Sequence, residues 1–185
     1  AFGTPVEMLK FIERLRKLSG GKPTGFKLCI GHPWEWFALC KAMVETNLLP
    51  DFIVIDGGEG GTGAAPLEFT DHVGAPLQEG LLLVHNTLVG LNLRHRVRLG
   101  CAGKVISAFD IARMMAIGAD WCNAARGFMF ALGCLQAQTC HTGHCPTGVT
   151  TQNPQRQQAL VVPDKAERVY RFHQNTLDAL KELVQ

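Results

Sequence analysis

The sequence lacks any apolar run long enough to cross a bilayer in its 185 residues. No charged leader with a small-residue cleavage site opens it, so a secreted, disulfide-stapled domain is not the expectation. Charge of neither sign is in excess. Lys+Arg 18 against Asp+Glu 16 gives a formal net charge of +2, spread along the chain, and no basic stripe suggests nucleic acid. No Gly-x-Ser-x-Gly element occurs, and no local signature of a Ser or Cys nucleophile is present. The first residue is Ala rather than Met, which points to a processed or truncated polypeptide. A cytoplasmic location is expected, and an N-terminal membrane anchor outside this chain stays compatible with it.

A hydrophobic fraction of 46% is enough for one core and one domain. Seven cysteines are an odd number. Cys29, Cys40, Cys101 and Cys122 lie in apolar runs and read as reduced core residues. Cys134, Cys140 and Cys145 differ: they sit in one short loop, spaced C-x5-C-x4-C, and Pro146 follows the last. Three thiolates on one loop suit a soft metal, and Cys-Pro is familiar from iron–sulfur loops. His141 and His144 lie between the last two cysteines, so a zinc site of mixed ligands, in a non-catalytic module, is the alternative.

Helices and apolar strands alternate along the chain. Thr4, Pro5 and Glu7 open a helix with Met8, Phe11, Ile12, Leu15 and Leu18 at helical spacing. Strands are expected at Phe26–Ile30, Phe52–Ile55, Val97–Ala102 and Asp120–Ala124. Between them, helices are expected over Pro33–Thr46, from Pro76 through Leu91, and from Ser107 to Gly118. A short helix leads into the cysteine loop, and Asp164 with Glu167 caps a last one. Such alternation means a parallel sheet covered by helices. A closed barrel needs about 250 residues, so four strand–helix units are either an open α/β sheet or half a barrel.

Ligands of such sheets bind at the carboxyl ends of the strands, and the unusual residues fall there. Residues 57–63 hold five glycines in seven positions, directly after an apolar strand. Gly103-Lys104 and Ala125-Arg126 each join a small residue to a cation ahead of a helix, as a phosphate site does. Lys27 interrupts an apolar strand, either as a functional cation or as a snorkelling one. The five histidines outside the cysteine loop form no triad-like spacing.

Taken together, Asp56 to Pro66, the helix with His85-Asn-Thr-Leu88 and Asn92-Leu-Arg94, the cysteine loop, and Gly148 to Pro154 resemble the FMN-binding synthase domain of glutamate synthase. The resemblance runs from about Lys27 to Pro154. It implies a (β/α)8 TIM barrel of which residues 1–185 are the C-terminal half, the cysteine loop lying at 133–148. It implies a three-iron, four-sulfur (3Fe-4S) cluster on Cys134, Cys140 and Cys145, and FMN along Gly60, Gly61, Thr62 and Gly63. Gly103, Lys104, Ala125 and Arg126 are then expected at the flavin phosphate, with Lys27 near flavin and substrate. The implied reaction passes electrons from ferredoxin or an NAD(P)H-oxidising subunit through the cluster to FMN. Reduced FMN converts 2-iminoglutarate, made from 2-oxoglutarate and ammonia, to glutamate. The implied partner is the missing N-terminal half of the barrel. The family's Ser-Gly-His-Asp-Gly-Gly-Thr-Gly run reads Asp56-Gly-Gly-Glu-Gly-Gly-Thr-Gly63 here, and Ile30 stands where the family has Ser. Both changes touch the substrate side, so a related FMN and iron–sulfur oxidoreductase on another amine or oxo acid is a further expectation.

Overall fold

The computed structural model describes residues 2–59, 68–69 and 71–185. Among them the order is α1 (Pro5–Leu18), β1 (Gly25–Leu28), α2 (Pro33–Thr46), β2 (Phe52–Asp56), α3 (Leu77–Gly90) and β3 (Arg98–Ala102), then α4 (Ala108–Ala116), β4 (Trp121–Asn123), α5 (Ala125–Leu132), α6 (Pro154–Gln157) and α7 (Val162–Val184). The four strands are parallel and neighbour one another in the order β1-β2-β3-β4. Consecutive order without a switch point is how barrel strands run. The sheet is α/β of half-barrel type and does not close.

Helix starts follow their local chemistry. The Ser107 hydroxyl accepts the Asp110 N–H at 3.2 Å, and the Asp110 carboxylate accepts the Ser107 N–H at 2.9 Å, a complete capping box on α4. At α1 the Thr4 hydroxyl accepts the Glu7 N–H, but the Glu7 carboxylate reaches Gly3, one residue earlier than a box requires. The last helix departs from expectation. Val161 holds its N-cap position and has no side chain able to bond, so Pro163 sets the start and Asp164 acts as a first-turn charge rather than a cap. On α1 the buried stripe is Leu9 and Ile12, while Leu15 and Leu18 are exposed.

Strand register decides what faces what, because lateral neighbours in a parallel sheet share a face and successive residues alternate. The row Leu28, Ile55, Cys101 and Cys122 and the row Phe26, Ile53 and Leu99 turn to the helices. There they join Leu81, Val84 and Leu88 of α3 and Trp36, Cys40 and Met43 of α2 in one core. Burying such side chains contributes about 1.5–3 kcal/mol each. The opposite face carries Lys27, Val54, Gly100 and Trp121 in one row, and Asp56, Ala102 and Asn123 in the next. Trp121 packs edge-on to Phe52, with ring centroids 5.9 Å apart. A Cβ on Gly100 would lie 2.4 Å from the indole, so the close approach requires glycine.

At the amino ends of β3 and β4, Asp120 ties the sheet to α3. Its carboxylate accepts the Leu99 N–H at 2.7 Å and the Arg94 guanidinium at 2.8 Å. Arg94 also donates to the Val97 and Gly118 carbonyls and to His85. Burial works against ionisation of Asp120, but the Leu99 N–H and the Arg94 charge outweigh it and hold the carboxyl below its ordinary value. A lowered carboxyl stabilises the fold above the ordinary carboxylate range and loses that contribution as pH falls through the lowered value. Asp120→Asn is expected to destabilise by about 1–3 kcal/mol at neutral pH. The gap from wild type should narrow as pH falls from about 6 toward 3. Urea unfolding across that range measures it, and a gap independent of pH contradicts the assignment.

Candidate active site and cysteine loop

The carboxyl ends of the strands carry Lys27, Gly103, Lys104, Ala125 and Arg126 of the residues singled out above. Lys27 of β1 reaches across to Asp56, the last residue of β2, with Nζ 2.6 Å from Oδ2. The Lys27 side chain is 55% exposed and that of Asp56 28%, so Lys27 is a cation at an open mouth rather than a buried one. Cys29, expected in the core, is exposed here instead, because β1 ends at Leu28 and leaves it in the loop. Burial raises its thiol, and the nearby Asp56 and Glu59 carboxylates raise it further.

Gly60, Gly61, Thr62 and Gly63 lie outside the described residues. The flanking Glu59 is described and serves α3. Both oxygens of its carboxylate stand 2.9 Å from the Leu77 N–H, so the negative charge sits on the helix N-terminus. Gly103 packs beside it, where a Cβ would come within 3.2–3.3 Å of Leu77 and Glu59. Lys104 takes a left-handed backbone, φ 51°, and its ammonium pairs with Asp71 at 2.6 Å. The pocket at this turn has a volume of about 180 Å³ and is lined by Glu59, Leu77, Lys104, Asp110 and Arg113, but not by Ala125 or Arg126. Those two open α5, directly after β4. Among the described residues their helix has no side-chain cap.

The cysteine loop has its own architecture. Cys134, Cys140 and Cys145 line one narrow cavity, together with Met129, Leu135, Thr147, Val149 and Thr150. Neither His141 nor His144 lines it, and both are exposed. Among the described residues no three His, Cys, Asp or Glu side chains converge as a single-ion site; the thiols ring a space instead. Cys145 is the most enclosed, at 9% exposure. Burial alone raises its thiol, but the Thr147 hydroxyl and the N–H groups of Thr150 and Thr147 outweigh it and lower it to about 6. The buried Thr150 hydroxyl adds the weakest contribution and makes no well-formed hydrogen bond of its own. A ring of thiols with a stabilised thiolate, apolar walls and a spare hydroxyl fits a thiolate-held iron–sulfur cluster.

What closes this loop was not foreseen from its spacing. Asn153 caps α6 by accepting the Gln155 and Arg156 N–H groups at 2.9 and 3.3 Å. Arg156, thus aimed, donates to the His144 and Cys145 carbonyls at 3.3 and 3.4 Å. Gly148, at φ 75°, lies against Arg156, where a Cβ would meet its carbonyl oxygen at 2.1 Å. The Gly148–Pro154 run is therefore the clasp of the cysteine loop. An arginine three residues after a capping Asn is the signal that could have shown it.

The profile described as the conserved region in glutamate synthase matches residues 2–185. The chain belongs to the glutamate synthase family. The glutamate synthase large subunit-like protein YerD of Bacillus subtilis is 46% identical over 92% of this chain and 32% of its own length. An archaeal-type glutamate synthase [NADPH] of Thermotoga neapolitana is 33% identical over 88% of this chain and 31% of its own. Ferredoxin-dependent glutamate synthase 1 of Arabidopsis thaliana is 42% identical over 55% of this chain and 6% of its own. The chain thus spans about a third of the length of the first two. No helix among the described residues is long and apolar enough to cross a membrane.

Glu59 carries a simple expectation. Glu59→Ala, which removes the charge from the α3 N-terminus, should cost about 0.5–2 kcal/mol, whereas Glu59→Asp should recover part of it. Thermal unfolding of the three proteins decides this, and an unchanged Tm for the Ala variant contradicts the capping role.

Proposed function

We propose that residues 1–185 are the C-terminal half of an FMN-binding synthase domain, in a glutamate synthase-type oxidoreductase that forms glutamate from 2-iminoglutarate. The observation that carries this is the convergence of Cys134, Cys140 and Cys145 on one cavity, within a chain of the glutamate synthase family. Bound here, a 3Fe-4S cluster and FMN would supply one-electron relay and hydride transfer. The protein's own residues hold and aim them. The three cysteines are the cluster's ligands, with Cys145 presented as thiolate by Thr147 and Thr150. Arg156 fixes the carbonyls beside that ligand, a supporting contact of the kind that metal sites depend on.

Gly103 and Lys104 with Ala125 and Arg126 are assigned to the flavin phosphate. The left-handed turn at Lys104, and the place of both turns directly after β3 and β4, support this. Gly60, Gly61, Thr62 and Gly63 are assigned to the flavin ring on the resemblance. Lys27 at the strand mouth is assigned to the substrate carboxylate, with Asp56 holding its ammonium in place. The electron donor is a ferredoxin or an NAD(P)H-oxidising subunit, in keeping with relatives named for NADPH and for ferredoxin. The remaining half of the barrel comes from polypeptide beyond these residues. Free thiols throughout the described chain suit a reducing compartment, the cytoplasm.

The Lys27–Asp56 pair favours a second reading, a related FMN and iron–sulfur oxidoreductase on another amine or oxo acid. A cation already neutralised by its neighbour is a weaker anchor for a dicarboxylate than a free one. Glutamate formation compared with turnover of other oxo acids by the full-length enzyme separates the two.

The full-length protein, purified anaerobically, is expected to carry iron, sulfide and FMN with visible charge-transfer absorbance. Cys140→Ser should lose iron and sulfide and retain flavin. Removing a supporting contact costs metal sites about 10–100-fold, so losing a ligand should lower synthase activity by at least roughly 100-fold. A colourless wild-type protein containing zinc overturns the redox reading.

A further inference from the structure

Two cysteines take no part in the site described above and lie against each other. Cys101 on β3 and Cys122 on β4 are register partners on adjacent parallel strands, on the face turned to the helices. Their sulfurs stand 3.4 Å apart. Adjacent strands are spaced by about 4.8 Å, inside the range of about 4.4–6.8 Å between Cα atoms that a disulfide spans. Side-chain rotation can therefore join these sulfurs without moving the sheet.

The pair is asymmetric. Cys101 is fully buried, whereas Cys122 is only half-buried on the last strand of the sheet. The Cys101 S–H donates to the Cys122 sulfur, which lowers the Cys122 thiol, while the contact with Cys122 and burial both raise that of Cys101. One thiol is thus the more accessible and the more readily ionised, and the other stands behind it at contact distance. A nucleophilic cysteine backed by a resolving cysteine is the arrangement of a reversible thiol oxidation site.

We propose that Cys101 and Cys122 form a redox modification site, in which a small peroxide oxidises Cys122 and Cys101 resolves it to a cross-strand disulfide. In the first step the Cys122 thiolate attacks one oxygen of hydrogen peroxide. The O–O bond breaks, giving the Cys122 sulfenic acid and hydroxide. In the second, the Cys101 sulfur attacks the Cys122 sulfur, the S–O bond breaks, and the oxygen leaves as hydroxide. The two thiol protons convert both hydroxides to water. In sum the pair loses two electrons and two protons, and one peroxide becomes two waters. The disulfide would tie β3 to β4 one residue before each strand ends, where the chain runs into Gly103-Lys104 and Ala125-Arg126. The inference needs neither FMN nor a cluster to be bound.

Tryptic mapping of the wild-type protein tests it. Leu99–Lys104 contains Cys101 alone, and Met114–Arg126 contains Cys122 alone. Exposed Cys29 reports on a third peptide, Leu28–Lys41. After brief hydrogen peroxide treatment, alkylation in denaturant and digestion, the first two peptides are expected as one species. Its mass should be their sum less two hydrogens, and dithiothreitol should abolish it. Cys101→Ser should instead accumulate Cys122 sulfenic acid, trapped by dimedone at least about tenfold above wild type, because the resolving thiol is gone. Recovery of both peptides singly alkylated, under conditions that oxidise Cys29, overturns the proposal. So does irreversible oxidation of Cys122 in the wild type with Cys101 still alkylatable. Because the mapping uses unmutated protein, misfolding of the variant cannot explain either result.

Discussion

Two-residue alternation along four parallel strands is the constraint on which the remaining structure depends. Once Ile53, Ile55, Leu99 and Cys101 are committed to the helices, their neighbours in sequence must turn to the other face. Lys27 and Asp56 therefore emerge on the same side at the carboxyl ends of neighbouring strands, close enough to form an ion pair. Gly100 is drawn into the same scheme. It occupies the row of Lys27, Val54 and Trp121, and its missing side chain admits the indole. A slip of one residue in β1 would turn Lys27 to the core face and expose Phe26 and Leu28. The apolar packing that holds the sheet is thus also what presents the cation.

The cysteine loop is held by a different logic, through hydrogen bonds to its backbone. Backbone carbonyls around Cys145 are gathered by one guanidinium, Arg156, on a four-residue helix that an Asn caps. A loop that carries three thiols cannot rely on a disulfide for rigidity and still ligate a metal through all of them. Hydrogen bonds to its carbonyls give rigidity while leaving the sulfurs unused. The same reasoning explains Thr147 and Thr150, whose hydroxyl and N–H groups turn toward the Cys145 sulfur and favour its thiolate.

Much of this was legible in the sequence. The helix from Pro33 to Thr46 and the box at Ser107 and Asp110 follow from local signals alone, and the structure has them where those signals put them. Strand ends were less legible. The apolar run after Lys27 continues to Ile30, yet pairing stops at Leu28, because Ile30 gives its carbonyl to the Ala75 N–H and not to the ladder. That bond joins residues 45 positions apart, and no local pattern encodes it. Asp56 and Glu59 were visible as departures from the family run but not as working groups. The structure gives each a task, one on Lys27 and one on the α3 N-terminus. The Cys101–Cys122 contact was invisible for the same reason: it depends on register, and register is a property of two strands at once.

The sheet itself argues for a larger unit. Strands β1 and β4 each have one paired neighbour among the described residues, so each presents an unmatched row of N–H and C=O groups. Among the described residues the main core cluster lies on the face opposite Lys27 and Asp56. Parallel sheets are stable when both faces and both edges are covered. Further strands continuing the consecutive order would cover all three surfaces at once, pairing the edges and enclosing the Lys27–Asp56 face as a barrel interior. The same closure would bring a second wall toward Lys27, turning an exposed ion pair into part of a walled site. On this argument the Lys27–Asp56 pair already stands where such strands would enclose it.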